Sequence, residues 1–204
     1  MKVLGKYSHL NGEEYLIVHH KKLYKEILNV IATVDALQFR TKISKEKGRK
    51  EGKAMWNPKA LNKEYARLFN AVGWRESKRQ FYVSPDRKTA ETLERMDFKA
   101  QGKYLDSIGQ PRLYSYNQTD FVKDKVAVEV QMGKYFSVTY DLFVKHLSFY
   151  SGGMTNIGVE IVPMKCMQKD MSSGPPWFEK EVHNVLRHGR GNPPVPLLIL
   201  GVAP

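Results

Sequence analysis

The chain has 204 residues, of which 42% are hydrophobic and 11% aromatic; this excludes a disordered chain and allows one domain with a sizeable core. A lone cysteine, Cys166, excludes an internal disulfide and fits a reducing cytoplasm. The sequence has no run long and apolar enough for a membrane-spanning helix. Its charged start MKVLGKYSHLNGEEY lacks the apolar core of a signal peptide, and a formal net charge of +12 points to a polyanionic partner such as nucleic acid rather than a membrane.

Residues 21–37 set Leu23, Ile27, Val30, Ile31, Val34 and Leu37 on one stripe, which predicts a long amphipathic helix. Residues 40–53, RTKISKEKGRKEGK, are rich in Lys and Arg, hold two glycines and show no hydrophobic period. They read as a mobile basic loop: either an arm meeting phosphates through residues such as Arg40 and Lys42, or a solvated loop. Asn57 as N-cap, Pro58 at the first helical position and Gly73 at the far end frame a helix that buries Leu61, Tyr65, Leu68, Phe69 and Val72. A short strand over 79–84 and a helix from about Ser84 follow; residues 99–118 show no clear period.

From residue 120 onward the pattern is regular. Residues 125–132 predict a strand, and 137–150 a helix turning Tyr140, Phe143, Val144, Leu147 and Tyr150 to the core. Residues 157–164 predict a strand, 175–188 a helix ending at Gly189, and 196–202 a buried strand. Strands alternating with helices predict an α/β fold, a central mixed sheet flanked by helices.

The strand KVAVEVQM carries the chemistry. Side chains alternate along a strand, so Val126, Val128 and Val130 share one face while Glu129 and Gln131 share the other. An unpaired buried carboxylate is costly, so the acid and amide should face a cleft, water or an ion. A reversal at FVKDK would carry Asp120 beside Glu129. Two converging carboxylates suit a hard cation such as Mg²⁺, which also assists phosphodiester hydrolysis.

Asp120…Glu129-Val130-Gln131 matches the PD-(D/E)xK nuclease signature, with Gln in the Lys position. The longer stretches SYNQTDFVKDKVAVEVQMGKY, YDLFVKH, IGVEIVPMK, MSSG and RHGRG resemble the BglII branch of the type II restriction endonucleases across nearly the whole chain. The resemblance implies the restriction-endonuclease-like fold. It also implies a Mg²⁺-dependent homodimer that cuts palindromic double-stranded DNA around a GATC core, with RGATCY as the expected site, cut before the G to leave GATC 5′ overhangs. Asp120, Glu129 and the Val130 carbonyl would hold the metal. Gln131, neither a base nor a cation, would orient the attacking water, leaving proton transfer to the metal site or a substrate phosphate.

Base recognition is expected from Lys134, just past the catalytic strand, and from Ser172 and Ser173 in KDMSSG. The alternatives are a phosphate contact for Lys134 and a helix cap for the serines. Arg187 and Arg190 suggest a phosphate-binding loop or a plain helix-ending turn. The helices at 21–37 and 140–150 are candidate dimer faces. His146 reads as a structural core residue, and Trp56, Trp74 and Trp177 as core or interface anchors. A non-catalytic DNA-binding protein or a structure-specific repair nuclease on the same scaffold are the rival readings; the paired carboxylates argue against the first and the extent of the resemblance against the second.

Overall fold

The computed structural model describes residues 1–45, 51–133, 137–171 and 174–204. Its strands are β1 (Lys2–His9), β2 (Lys42–Ile43), β3 (Ala54–Met55), β4 (Arg75–Val83), β5 (Leu113–Lys123), β6 (Val126–Val130), β7 (Ile157–Pro163) and β8 (Leu197–Ala203). Six of them make one sheet in the order β1-β8-β7-β6-β5-β4, while β2 and β3 pair in a small ribbon of their own. The trunk β6-β7-β8 is parallel, and β1, β5 and β4 join antiparallel. Every residue of β6, β7 and β8 is buried, as expected of parallel strands covered on both faces.

The covering helices are α1 (Gly12–His19), α2 (Lys21–Thr33), α3 (Pro58–Ala71), α4 (Arg87–Glu94), α5 (Phe98–Ser107), α6 (Ser137–Tyr140), α7 (His146–Ser151), α8 (Lys165–Gln168) and α9 (Phe178–Arg187). A π-helical turn, Asp141–Lys145, joins α6 to α7. On one face of the sheet, Leu16, Ile27, Ile31, Leu61, Tyr65 and Phe69 pack against Val126, Val128, Val130, Val159 and Ile161. On the other, Val138, Leu142 and Val185 pack against Val162, Leu197 and Ile199. The architecture is thus the predicted α/β one.

Several local expectations change. The helix from Lys21 stops at Thr33: Val34 is extended, and the Asp35 carboxylate caps a separate 3₁₀ turn, Ala36–Phe39, which leaves Leu37 69% exposed. Strand β4 begins at Arg75, earlier than expected, and the unplaced stretch resolves into nearly all of α5 and the outer part of β5. Helix α4 starts at Arg87, where Asp86 accepts from the Thr89 N–H at 2.8 Å. The last helix starts at Phe178, with Trp177 still in extended backbone as its N-cap residue. The basic segment is framed by the β2–β3 ribbon, and its residues 46–50 lie outside the described residues.

The largest correction concerns 137–150. Val138, Asp141, Leu142, His146 and Phe149 are the buried residues, while Tyr140, Val144 and Tyr150 are exposed. Both sets have helical spacing. Of the expected stripe only Phe143 and Leu147 stay half-buried, Phe143 against the core, and the inner stripe was disguised by an acid, a lysine and a histidine that are turned inward onto the sheet.

Candidate active site

Strands β5 and β6 form a hairpin whose two turn residues, Asp124 and Lys125, both have positive φ (45° and 63°). Such a turn matches the natural twist of a two-residue hairpin and fixes its register. Phe121 pairs with Val128, Val122 with Ala127 and Lys123 with Val126. One step further, Asp120 stands opposite Glu129, on the face away from Phe121 and the valines. Strand β5 runs on beyond this point, paired with β4, whereas β6 ends at Val130. At this fork the Asp120 Oδ2 atom accepts the Val130 N–H at 3.2 Å.

The two acids sit in different surroundings. Asp120 is exposed, while Glu129 is fully buried. The expectation that Glu129 faces a cleft therefore needs adjustment: it lies beneath one. The cleft, roughly 410 Å³, is lined by Tyr116, Asn117, Asp120, Val130, Gln131 and Lys145, among others. Gln131 reaches it as expected, and its Nε2 donates to Asp141 Oδ2 at 2.9 Å.

Four further ionisable groups close around Glu129. The π-helical turn bonds the His146 N–H to the Asp141 carbonyl and sets Asp141, Lys145 and His146 on its inner side. Lys145 Nζ lies 3.0 Å from Glu129 Oε2 and 2.5 Å from Asp141 Oδ1. Glu160 on β7 pairs in register with Glu129 and lies 2.9 Å from His146 Nε2.

Burial pushes the Glu129 carboxyl up to about 8, aided by the Asp120 charge and opposed by Lys145. Burial likewise raises Asp141 against the pull of Lys145. It raises Glu160 well above the carboxylate range, with the charges of Asp141 and Glu129 adding to the effect. Burial alone would lower the Lys145 ammonium, but the carboxylates of Glu129 and Asp141 outweigh it and raise it. Desolvation holds His146 near 3, so the ring is neutral.

Among the described residues no cluster of three or more His, Cys, Asp and Glu could hold a metal. One exposed carboxylate, Asp120, at the cleft and a second, Glu129, directly beneath it nonetheless suffice for a cation that keeps several waters. Glu129 Oε1 has no hydrogen-bond partner among the described residues, and a cation beside Asp120 and Glu129 would offset the repulsion that raises Glu129. The residues fit such an ion.

The sequence profile of the family described as "Restriction endonuclease BglII/BglIII" matches residues 4–202. The chain belongs to this family. It is a restriction endonuclease, a site-specific deoxyribonuclease of a family that uses divalent metal ions. Among solved structures, it is similar to restriction endonuclease BglII complexed with a DNA 16-mer, with a TM-score of 0.67 at 16% identity, covering 100% of this chain and 79% of that one. It is also similar to free BglII, with a TM-score of 0.58 at 13% identity, covering 100% of this chain and 80% of that one. At these identities the likeness carries the fold. No curated protein sequence matches the chain.

The other expected site residues of this BglII/BglIII-family chain are scattered. Arg40 Nε donates to the Ala54 carbonyl at 3.2 Å, and its guanidinium lies 5.1 Å from the Trp56 ring centre and 3.4 Å from Asp170. Lys42 is exposed on β2, Arg187 ends α9 and Arg190 is exposed beyond it. None of the four lines the cleft. Lys134, Ser172 and Ser173 lie outside the described residues. No described helix is long and apolar enough to cross a membrane.

Sequence reasoning missed Asp141, Lys145 and Glu160. A signal for Glu160 was present: VAVEV and IGVEIV each carry a single acid inside an otherwise apolar strand, and in parallel register those acids pair.

Proposed function

We propose that this restriction endonuclease is a Mg²⁺-dependent homodimer that hydrolyses phosphodiester bonds in duplex DNA at a palindromic site with a GATC core. The site is RGATCY, cut before the G to leave GATC 5′ overhangs. The observation that carries the catalytic half of this reading is the hairpin register which, continued one step past Phe121–Val128, brings Asp120 to the lining of an open cleft and Glu129 beneath it. The site sequence and cut position rest on the resemblance of the sequence motifs to BglII-branch enzymes, BstYI among them. The formal charge of +12 suits a polyanionic duplex, and a palindrome calls for two sites related by a two-fold axis.

Asp120, Glu129 and the Val130 carbonyl would hold the ion. When bound it would lower the pKa of water and neutralise charge on the phosphate. The chain's own groups supply the rest. The Asp120–Val130 hydrogen bond fixes the fork, so the two carboxylates keep their spacing. Gln131, tethered through its Nε2 to Asp141, turns its amide toward the cleft to orient the attacking water. As an amide it takes no proton, so the proton leaves to solvent or a substrate phosphate. Lys134, Ser172 and Ser173 are assigned to base edges, and Arg40, Lys42, Arg187 and Arg190 to the DNA backbone.

Incubating the protein with unmethylated phage DNA and Mg²⁺, then sequencing the fragment ends, tests this reading. Discrete fragments with GATC overhangs flanked by R and Y are expected. A smear, or tight binding without cleavage, would overturn it.

A further inference from the structure

Lys145 is absent from the nuclease signature yet sits at its centre. Its side chain is 12% exposed, and its ammonium bridges Glu129 Oε2 at 3.0 Å and Asp141 Oδ1 at 2.5 Å. Asp141 spends its other oxygen on Gln131. One ammonium thereby ties together an acid from β6, an acid from the π-helical turn and, through that acid, the amide in the Lys position. Asp120 and Glu160 crowd the same group, and both act electrostatically on Glu129 or its neighbours. Without an internal cation, this cluster would bring carboxylates together with little water to screen them.

We infer that Lys145 is a positioning residue that serves as a resident counter-ion: it holds Glu129 and Asp141 in place before a divalent cation arrives, and it competes with that cation for Glu129. The inference rests on the reading of Asp120 and Glu129 as the metal pair. Its geometric basis is that an ammonium already lies against Glu129 Oε2, next to the Oε1 atom left for an incoming cation. A divalent ion bound there would meet a like charge a few ångströms away. Loading therefore requires the ammonium to shift toward Asp141, its second partner. The inner face of the π-helical turn keeps both partners within reach, so the shift needs no backbone rearrangement. A purely structural ion pair would stabilise the fold in the same way but would not set the affinity for a metal.

The test titrates Ca²⁺ and Mg²⁺ into the full chain without DNA, by calorimetry, for wild type, Lys145→Met, Lys145→Gln and Glu129→Ala. Lys145→Met should bind Ca²⁺ on the order of tenfold more tightly than wild type. Its melting temperature in chelator should fall below that of wild type and recover when Ca²⁺ is added. Lys145→Gln keeps a polar but uncharged tip on a slightly shorter side chain and should show the same tightening, which covers the case in which the Met variant does not fold. Unchanged or weaker binding in both Lys145 variants, with binding lost in Glu129→Ala, overturns the inference and leaves the metal site standing. Binding that is absent in wild type, or undiminished in Glu129→Ala, overturns the metal-site reading itself.

Discussion

Two parts of one sheet are built differently. In the trunk, β6, β7 and β8 are buried at every position. In the arm, β4 and the outer part of β5 pair with each other from Val83–Leu113 to Ser77–Thr119 and leave most side chains exposed or half-buried. The site lies where the two meet. The trunk contributes a rigid acid, Glu129, in surroundings that disfavour its charge, and the arm contributes a wet one, Asp120, at the point where β6 ends. A trunk alone would bury both acids and an arm alone would hold neither firmly, so the fork supplies both fixed geometry and access for a phosphate.

This contrast can be broken from either side. In the trunk, Val128→Ala removes two buried methyl groups from the face packed under α3, and should cost about 2 kcal/mol in thermal or denaturant unfolding. A loss comparable to a surface substitution would mean that the trunk is loosely packed.

Glu160→Gln sharpens the electrostatic side of the comparison. Glu160 is raised above its ordinary value by burial and then by Asp141 and Glu129, so the fold favours its protonated form. Below the ordinary carboxyl range that preference costs nothing; as pH rises through it, the unfolded chain ionises first and wild-type stability falls. The amide variant keeps a donor for neutral His146 and escapes this loss. Its melting temperature should match wild type near pH 4.5 and exceed it increasingly toward pH 8. A gap that is flat with pH would contradict the assignment.

In the arm, Leu113→Ala is the smallest expected effect. Leu113 is about half exposed at the far end of β5, and its truncation should change stability by no more than about 0.5 kcal/mol. A loss as large as that of Val128→Ala would erase the distinction between the two regions.

Much of the trunk was legible because its signals are local. An alternating VAVEVQ segment reports which side chains share a face, and a tight reversal at Asp124-Lys125 reports the partner strand, so the sequence already groups Asp120, Glu129 and Gln131. The apolar runs at 157–164 and 196–202 were equally plain. The arm was not, since a half-exposed strand such as LYSYNQTD alternates weakly and pairs with a strand far from it in sequence, from Val83–Leu113 to Ser77–Thr119. Asp141 and Lys145 were hidden for a different reason. Their inward placement depends on a sheet that bears acids of its own, and on sequence alone the more apolar stripe of 137–150 is the natural choice for the core. Glu160 shows the same limit, because only the parallel register places it beside Glu129.

The central claim is that the acid of the trunk and the acid of the arm act as one metal-dependent catalytic pair. Its most direct test measures cleavage and binding together, on one RGATCY duplex with Mg²⁺, for Asp120→Ala, Glu129→Ala and wild type. Both variants should lose cleavage by about 10³-fold or more while retaining a specific gel shift. Cleavage at the wild-type rate by either variant would contradict the account.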